Sequence, residues 1–389
     1  MTLSMRQKLR LMYNKVVVAS DSFKGSLTSL EVAQSAARAV KEAYPSCEVV
    51  EVNVADGGEG TMDALQQTLG GRKVILEVSD PLGRPVNASY VILEDANTAV
   101  LEMSAASGLP LLAPEERNPS KTSTLGTGEL IRDALDKGCR KFLVGIGGSA
   151  TNDAGMGMLH ALGYRFKDAS GAELAPVGGS MIKVASIDMS GRHAALSEAQ
   201  FIVACDVKAP LYGPEGAAYV FAPQKGADKD MVEALDMGLR HFAEVSAAAT
   251  GIDCSSFEGS GAAGGLGFAF RQFLGARLER GVEMVLDAIH FDDILKGADL
   301  VITGEGRVDS QTLTGKTPFG VAQRALRQGI PVVAIGGSVT LDPNQAQIAG
   351  FKDVLQVTPE GMPLSEAMKP EVAADNVYHT IKSLLERYE

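Results

Sequence analysis

The chain has 389 residues, more than one ordinary compact core needs, so the sequence favours two domains. Hydrophobic residues make up 45% and charged residues 22%, a composition typical of soluble globular proteins rather than disordered or fibrous ones. Asp and Glu total 48 against 36 Lys and Arg, and the net charge of −12 argues against nucleic acid or an anionic membrane surface as the main partner. No apolar run approaches the roughly 20 residues that cross a bilayer.

Cysteine and histidine residues are dispersed along the chain. The four cysteines form no CxxC pair and none lies beside a histidine, which excludes the common zinc spacings. This pattern favours reduced, buried thiols and therefore the cytosol. Residues 1–14 are basic but lack a long apolar stretch and a small-residue cleavage site, so we expect an N-terminal arm and no secretory signal.

Two strand–helix pairs follow the predicted arm. Lys15–Ser20 is a continuous apolar run, the pattern of a strand that is covered on both faces. Thr28 and Glu31 form a capping box at the start of an amphipathic helix. A second strand is predicted over Glu48–Val54, followed by a helix near residues 62–69.

The same alternation returns near the C-terminus. Strands are predicted at Leu300–Thr303, Pro331–Ile335 and Asp353–Val357, and helices at Lys316–Arg327, near Asn344–Ile348 and from about Glu371. Five parallel strands make a stable doubly wound sheet, whereas two strands alone do not. We therefore predict a discontinuous α/β domain over residues 15–70 and 290–389, interrupted by an inserted second domain over residues 71–289.

The inserted domain is predicted to be mixed α/β. Strand-like runs lie at Lys73–Val78, Ala88–Leu93, Ala99–Met103, Phe142–Ile146, Phe201–Cys205 and Ala217–Phe221, and helical patterns lie at Gly128–Lys137, Asp153–Leu162 and Met231–Thr250. The periodicity of the sequence predicts a mixed α/β domain and does not predict how its strands pair.

The loops after the strands are the candidate site, because ligands of open α/β sheets bind just beyond the carboxyl ends of the strands. After the first strand come Asp21, Ser22 and Lys24, followed by a helix N-terminus that favours anions. Asp56 follows the second strand, and the backbone N–H groups of Gly57–Gly58 can approach a phosphate closely. The structural alternatives are a polar turn with a solvated lysine and a left-handed turn capped by Asp56.

A third loop follows the strand that ends near residue 303. Its last residues, Gly315–Thr317, resemble the end of a Walker A loop, but Ser310 occupies the position where the first glycine is required, so a P-loop fold is rejected. Lys316 at a helix start remains a suitable phosphate anchor. The loop also carries three charged side chains, Glu305, Arg307 and Asp309. Three charged side chains on one short loop favour a functional site, and the structural alternative is a solvated loop.

One loop of the inserted domain joins a predicted strand to a predicted helix and carries Gly147, Gly148 and Ser149. These residues suit a backbone nest for a phosphate or a carboxylate. Asp153 lies at the end of the loop, and Asp206 ends an apolar strand, where functional carboxylates often lie. For each carboxylate alone, a buried capping role is commoner than a catalytic one.

Together these residues supply acids for Mg²⁺, a few cations and glycine-rich loops from two domains. That combination favours phosphoryl transfer, because its transition state is stabilised mostly by positioning and charge neutralisation. A hydride-transfer enzyme would need GxGxxG after a strand, and Gly145–Gly148 supplies only a fragment of that motif.

The same loops resemble those of the bacterial type I glycerate kinases. The matching segments run in order along nearly the whole chain: ASDSFKGSL (Ala19–Leu27), ADGGEGT (Ala55–Thr61), GTGELI (Gly126–Ile131), GIGGSATNDAG (Gly145–Gly155), ACDV (Ala204–Val207), FAPQKGA (Phe221–Ala227), GAAGGLG (Gly261–Gly267) and ITGEGRVDSQT (Ile302–Thr312). The resemblance implies a flavodoxin-like domain with an inserted second domain. It also implies phosphorylation of D-glycerate with ATP and Mg²⁺, in many members at the 2-hydroxyl, in glycolate, glyoxylate or sugar-diacid catabolism.

The resemblance also implies roles for the loop residues. By position, it implies that these residues face a cleft for ATP and D-glycerate: Asp21, Ser22, Lys24, Asp56, Asp153, Asp206, Glu305, Arg307 and Asp309. We expect Lys24, Lys316 and the glycine loops to hold the phosphates. We expect Arg307 to neutralise charge, on either the glycerate carboxylate or the transferring phosphoryl group. We expect an aspartate, Asp206 or Asp153, to accept the hydroxyl proton. Asp309 is the candidate Mg²⁺ ligand.

Two positions depart from the pattern expected of this family. Ala154 stands where glycine is usual, and Ala209 stands where asparagine usually precedes Pro210. Both lie beside proposed site residues, so they weaken the assignment of the substrate more than that of the reaction class.

Three alternatives stay open at this point: a glycerate 3-kinase, a kinase of another small hydroxy acid, and a ligand-binding regulator without turnover. The sequence shows no helix-turn-helix signature and no basic face, which argues against the regulator. We expect a cytoplasmic enzyme with small-molecule substrates and no nucleic-acid or membrane partner. A homodimer remains open.

Overall fold

The computed structural model describes residues 13–58 and 60–388. The predicted N-terminal arm lies outside the described residues except for Tyr13 and Asn14. Tyr13 is buried and packs edge-on against Tyr44, with 5.4 Å between the ring centroids. The backbone N–H of Asn14 donates to Asp299 Oδ2 at 2.6 Å.

Strands and helices are numbered here along the chain. The strands are β1 (Lys15–Ser20), β2 (Glu48–Asn53), β3 (Arg72–Ser79), β4 (Pro85–Ile92), β5 (Thr98–Glu102), β6 (Lys141–Gly145), β7 (Arg165–Lys167), β8 (Ser186–Asp188), β9 (Gln200–Ala204), β10 (Arg277–Glu279), β11 (Leu300–Val308), β12 (Val332–Val339) and β13 (Phe351–Gln356). The helices are α1 (Ser29–Ala43), α2 (Thr61–Leu69), α3 (Ser104–Ser107), α4 (Leu125–Asp136), α5 (Met156–Ala161), α6 (Ala217–Phe221), α7 (Lys229–Thr250), α8 (Ala262–Leu274), α9 (Gly281–Ala288), α10 (Phe291–Ile294), α11 (Thr317–Arg327), α12 (Pro343–Ile348), α13 (Leu364–Ala367) and α14 (Pro370–Tyr388).

Contacts between Cα atoms divide the chain into two compact units. The first unit contains the described residues up to Asp56 together with those from Val285 onward, and the second contains Gly57–Met284. Helix α2 was predicted as part of the discontinuous domain, but it lies in the second unit and contacts β4 and β5. Within the described part of the chain, no helix combines the length and apolarity that a membrane crossing requires.

The first unit is built on a five-stranded sheet in the order β13-β12-β11-β1-β2, and every pair in it is parallel. Numbered within the unit, this order is 2-1-3-4-5, so the predicted flavodoxin-like, doubly wound α/β sheet is confirmed. The order reverses between β1 and β11. Ligands of such sheets bind at the carboxyl ends of the two strands that flank this point.

Helix α1 carries the chain from β1 to β2 and packs against α14. Its predicted capping box is confirmed: Thr28 Oγ1 accepts from the Glu31 N–H at 3.2 Å, and Glu31 Oε2 accepts from the Thr28 N–H at 2.8 Å. A cap of this kind contributes about 1 kcal/mol to helix stability. The apolar face of the helix, including Val32, Ala36 and Val40, is fully buried in the core of the first unit.

Strands β11 and β12 are longer than the sequence predicts. Their pairing continues through Arg307↔Ser338 and Val308↔Val339, so Glu305 and Arg307 lie on a strand and the predicted loop beginning at Gly304 is wrong in its first half. The glycines of these segments hide the strand signal, because glycine is depleted in strands. Since alternate residues of a strand point to the same face, Glu305 and Arg307 share one side of the sheet.

The second unit is mixed α/β, as predicted. Its larger sheet has the order β10-β9-β6-β5-β4-β3, with β3, β4 and β5 antiparallel and β5, β6, β9 and β10 parallel. A second sheet pairs β7 with β8. The predicted strand over Ala217–Phe221 is wrong: this segment is helix α6, which contacts α7 and α8. Periodicity does not distinguish a short apolar strand from a short buried helix.

Candidate active site

A cavity of about 470 Å³ lies in the first unit beside the carboxyl ends of β1 and β11. Its polar wall brings together most of the residues that the sequence predicts for this unit: Asp21, Ser22, Lys24, Asp56, Glu305, Arg307 and Lys316. Apolar side chains line the same cavity, including Val357, Met362, Leu364 and Met368. One cavity thus offers cations, carboxylates and apolar side chains.

Asp21 follows β1 directly and is almost fully buried. Its backbone N–H donates to Gly304 O at 2.8 Å, which fixes it against β11. Oδ1 accepts from the Ser22 N–H at 2.6 Å, and Oδ2 accepts from the Thr317 hydroxyl at 3.0 Å. Burial, together with the charge of Asp56, raises the pKa of Asp21 from its ordinary value of 3.8 to about 6. Two carboxylates that repel one another in a cavity favour a bound cation.

Glu305 holds Lys316 in place from the neighbouring strand. Its Oε1 accepts from the Thr312 hydroxyl at 2.6 Å, and its Oε2 accepts from Lys316 Nζ at 3.2 Å. Burial raises the pKa of Glu305. Lys316 remains partly exposed, so its ammonium can reach a ligand in the cavity while Glu305 orients it.

Asp309, the predicted Mg²⁺ ligand, is already engaged. Its Oδ2 lies 3.2 Å from Arg307 Nε, and its Oδ1 accepts from the Gln311 N–H at 2.8 Å. Among the described residues, no group of three His, Cys, Asp or Glu side chains is arranged to hold a metal. Mg²⁺ is usually held by one or two carboxylates, with phosphates and waters completing its shell. The repelling pair Asp21 and Asp56 fits that requirement better than Asp309 does.

Asp153, in the second unit, is completely buried. Its Oδ2 accepts from the N–H and the hydroxyl of Thr124, each at 2.8 Å, and from the Gly157 N–H at 3.1 Å, while Oδ1 accepts from the Gly155 N–H at 3.1 Å. Burial raises the pKa of this carboxyl. The carboxylate joins the start of α4 to the start of α5, an arrangement that favours a structural role over proton transfer to a substrate.

Asp206 follows β9 and is exposed. Its Oδ1 accepts from the Gly281 N–H at 3.2 Å. Gly57 packs in the same region, because a Cβ at this position would lie 2.4 Å from Gly281 Cα and 2.8 Å from Ala204 Cβ. The predicted phosphate-binding Gly57 therefore has a packing requirement of its own. Of the two candidate bases, Asp206 is the one that solvent and a substrate can reach.

The Gly147–Ser149 loop follows β6 and is fixed from both sides. Leu109 N donates to Gly148 O at 2.8 Å, and Ala150 N donates to Ser107 O at 2.9 Å. Gly147 and Gly148 are exposed, and Gly148 has a left-handed φ of 74°. The backbone N–H groups of the three loop residues donate to no acceptor among the described residues. Consecutive N–H groups of this kind form anion-binding nests.

Lys225 is not among the predicted site residues. It is 2% exposed, and its Nζ donates to Ser149 Oγ and to Thr151 O, both at 2.7 Å. Burial lowers the pKa of its ammonium to about 7, against an opposing effect of the Asp153 charge. The available signal was its place in the FAPQKGA segment, one of those that carry the resemblance.

Comparison with known proteins agrees with the sequence motifs. Residues 16–389 match the model of the Glycerate kinase family. Glycerate kinase from Bacillus subtilis (strain 168) is 47% identical over 370 residues, which cover 95% of this chain and 96% of that protein. Glycerate 2-kinase from Escherichia coli (strain K12) is 44% identical over 370 residues, with 95% and 97% coverage.

A solved structure of glycerate kinase 2 from Salmonella typhimurium LT2 is also similar. Its TM-score to this chain is 0.88 at 46% sequence identity, and the match covers 96% of this chain and 98% of the other. The resemblance found in the loop motifs is thereby confirmed over nearly the whole length. The chain belongs to the glycerate kinase family.

Proposed function

We propose that the chain is an ATP-dependent kinase that phosphorylates D-glycerate at its 2-hydroxyl, giving 2-phosphoglycerate and ADP. The observation that carries this proposal is the cavity of the first unit, which is lined by Lys24, Arg307 and Lys316 together with three carboxylates. Family membership supports the reaction class, and the name of the Escherichia coli relative supports the 2-hydroxyl.

The nucleotide is proposed to bind in the first unit. Lys24, Lys316 and Arg307 would neutralise phosphate oxygens, and the apolar side chains that include Met362 and Met368 suit the adenine ring. Asp21 and Asp56 would hold Mg²⁺, which neutralises phosphate charge when it is bound. The chain has a net charge of −12, and these three cations supply positive charge in the cavity where the polyphosphate is proposed to bind.

Asp206 is proposed as the general base. During transfer, the 2-hydroxyl oxygen forms a bond to the γ-phosphorus, the bond between that phosphorus and the β–γ bridging oxygen breaks, and the hydroxyl proton passes to the Asp206 carboxylate. The exposure of Asp206 supports this role, whereas the burial of Asp153 supports a positioning role for that residue. General-base assistance contributes about 10²- to 10⁴-fold to a rate.

Phosphorus NMR of the products from D-glycerate, ATP and Mg²⁺ tests the activity and the position of phosphorylation together. We expect 2-phosphoglycerate and ADP in equal amounts. A 3-phosphoglycerate signal would replace the proposed regiochemistry with that of a 3-kinase. ADP release that does not depend on D-glycerate, or that is faster with another hydroxy acid, would overturn the substrate assignment.

A further inference from the structure

A lysine is buried beneath the Gly147–Ser149 loop without a full set of acceptors. A lysine ammonium has three N–H donors, and Lys225 uses two of them, on Ser149 Oγ and Thr151 O. Asp153 acts on Lys225 through its charge, but all four of its hydrogen bonds come from other groups. Burial of a cation is costly unless another charge compensates it. Something beyond the packing of the second unit is needed to account for Lys225.

The contact between Lys225 and Ser149 defines what the loop can offer a ligand. Because the Ser149 oxygen accepts from the ammonium, its own proton is available for donation. The same loop presents the backbone N–H groups of Gly147, Gly148 and Ser149, which donate to no acceptor among the described residues. Donors from three successive residues thus lie above the buried Lys225 side chain.

The residues that follow the loop also have unmet hydrogen-bonding capacity. Thr151 Oγ1 and both polar atoms of the Asn152 amide are buried and have no partner in the described part of the chain. More than nine in ten buried polar groups in proteins are paired, so unpaired groups call for a water molecule or a ligand. Their presence beside Lys225 is a second, independent sign that this segment receives a polar ligand.

We propose that the Gly147–Ser149 loop binds the carboxylate of glycerate and that Lys225 is its positioning residue. Lys225 orients the Ser149 hydroxyl toward the carboxylate and supplies the compensating charge from beneath the loop. One buried cation matches the single negative charge of a carboxylate, whereas the three cations assigned to the nucleotide phosphates lie in the first unit. This inference rests on the proposed function and adds to it a residue for substrate recognition.

The test measures equilibrium binding of D-glycerate and of ATP, separately, to four folded variants by calorimetry. The variants are Lys225→Met, Ser149→Ala, the double variant, and Lys137→Met, which removes a lysine that directly follows α4 in the same unit. We expect Lys225→Met to weaken D-glycerate binding about 10- to 100-fold, as for loss of a hydrogen bond to a charged group. ATP binding stays within twofold, and Lys137→Met changes neither.

The double variant distinguishes positioning from a general loss of structure. If Lys225 acts through Ser149, the double variant weakens D-glycerate binding, relative to the wild type, by less than the product of the two single-variant fold-changes. Should Lys225→Met fail to fold, Ser149→Ala alone, which removes only a hydroxyl group, is expected to weaken D-glycerate binding at least fivefold. Unchanged D-glycerate binding in the folded variants would overturn the proposal. Weakened ATP binding instead would show that the loop binds phosphate.

Wild-type turnover separates this inference from the function on which it rests. If the wild-type enzyme phosphorylates D-glycerate while Lys225→Met and Ser149→Ala bind it normally, the roles of the Gly147–Ser149 loop and of Lys225 are wrong and the proposed function stands. If the wild-type enzyme neither binds nor phosphorylates D-glycerate, the proposed function itself is wrong.

Discussion

Asp21 and Asp153 are both buried aspartates that follow a strand of a parallel pair, and burial raises the pKa of both. They differ in how their oxygens are used. Asp153 accepts four hydrogen bonds from Thr124, Gly155 and Gly157, whereas Asp21 accepts from Ser22 and Thr317 and is repelled by Asp56. Burial and a raised pKa therefore do not identify a functional carboxylate. What distinguishes Asp21 is an unfavourable charge in a cavity, which a cation can relieve.

Asp206→Asn gives the largest expected effect, because it removes the carboxylate that we propose as the base. If accessibility marks the catalytic aspartate, kcat falls by about 10²- to 10⁴-fold while the unfolding temperature stays within a few degrees. ADP release at saturating D-glycerate and ATP measures the rate. A wild-type kcat in this variant would exclude Asp206 as the base, and exposure would then not distinguish the catalytic aspartate.

Asp153→Asn tests whether the fully hydrogen-bonded Asp153 has a structural role. The amide replaces an acceptor oxygen with an NH₂ group that faces backbone donors, so the free energy of unfolding falls by about 3 kcal/mol. Urea unfolding measures this loss, and kcat per folded molecule is expected to stay within tenfold of the wild type. Intact stability with a large loss of kcat would identify Asp153 as the base instead.

Asp21→Asn is expected to stabilise the protein in a pH-dependent way. The folded-state pKa of Asp21 is about 6 and its ordinary value is 3.8, so the folded protein holds this proton more tightly than the unfolded chain does. The stability that this proton contributes is complete below pH 3.8 and is lost as the pH rises through 6. At pH 8 the loss is about 3 kcal/mol at most, and the asparagine variant avoids it.

Thermal unfolding at pH 4 and pH 8, without Mg²⁺ or nucleotide, measures the effect of Asp21→Asn. The expected gain appears at pH 8 and is nearly absent at pH 4. Asp375→Asn, at an exposed position of the same unit, serves as the control and shows no such difference. An equal gain for Asp21→Asn at both pH values would contradict the raised pKa of Asp21.

Lys24→Ala has a smaller expected effect, because the side chain is exposed and contributes one charge among three in the cavity wall. We expect the KM for ATP to rise about 3- to 10-fold with little change in kcat. Lys296→Ala, which removes an exposed lysine of the same unit paired with Asp293, is the matched control. Unchanged nucleotide kinetics would remove Lys24 from the phosphate site.

The sequence predicted the sheet of the first unit because its strands are apolar runs that alternate with capped helices. It also predicted the charged residues that line the cavity, since the rule for strand ends points to Asp21 and Asp56. It did not predict the apolar lining residues. It did not predict that Glu305 and Arg307 lie on a strand, because glycines interrupt the strand pattern of that segment.

The role of Lys225 could not be read from the sequence either. A lysine is nearly always solvated, and only three-dimensional packing shows that this one lies under a loop more than seventy residues away in the chain. For the same reason, the saturation of Asp153 by Thr124, Gly155 and Gly157 depends on the meeting of α4 and α5. Local patterns identify polar loops, and contacts between distant segments decide which of their residues are already occupied.

Ala154→Gly is expected to give the smallest effect. Ala154 has a φ of 48°, a left-handed conformation that costs an alanine about 1 kcal/mol or more. Glycine removes this strain but increases the conformational entropy of the unfolded chain, which offsets about 0.4–1 kcal/mol. Because Ala154 is fully buried, the lost methyl group also costs about 0.8 kcal/mol. The net expectation is a change within about 1 kcal/mol in unfolding free energy, measured by urea unfolding, with no change in kcat or in the KM for D-glycerate. Ala96→Gly, at an exposed position with a φ of 55°, is the control that relieves the same strain without the loss of a buried methyl group. If Ala154→Gly alone altered the KM for D-glycerate, the loop that Asp153 holds would have a direct part in binding, and the contrast between Asp153 and Asp21 would weaken.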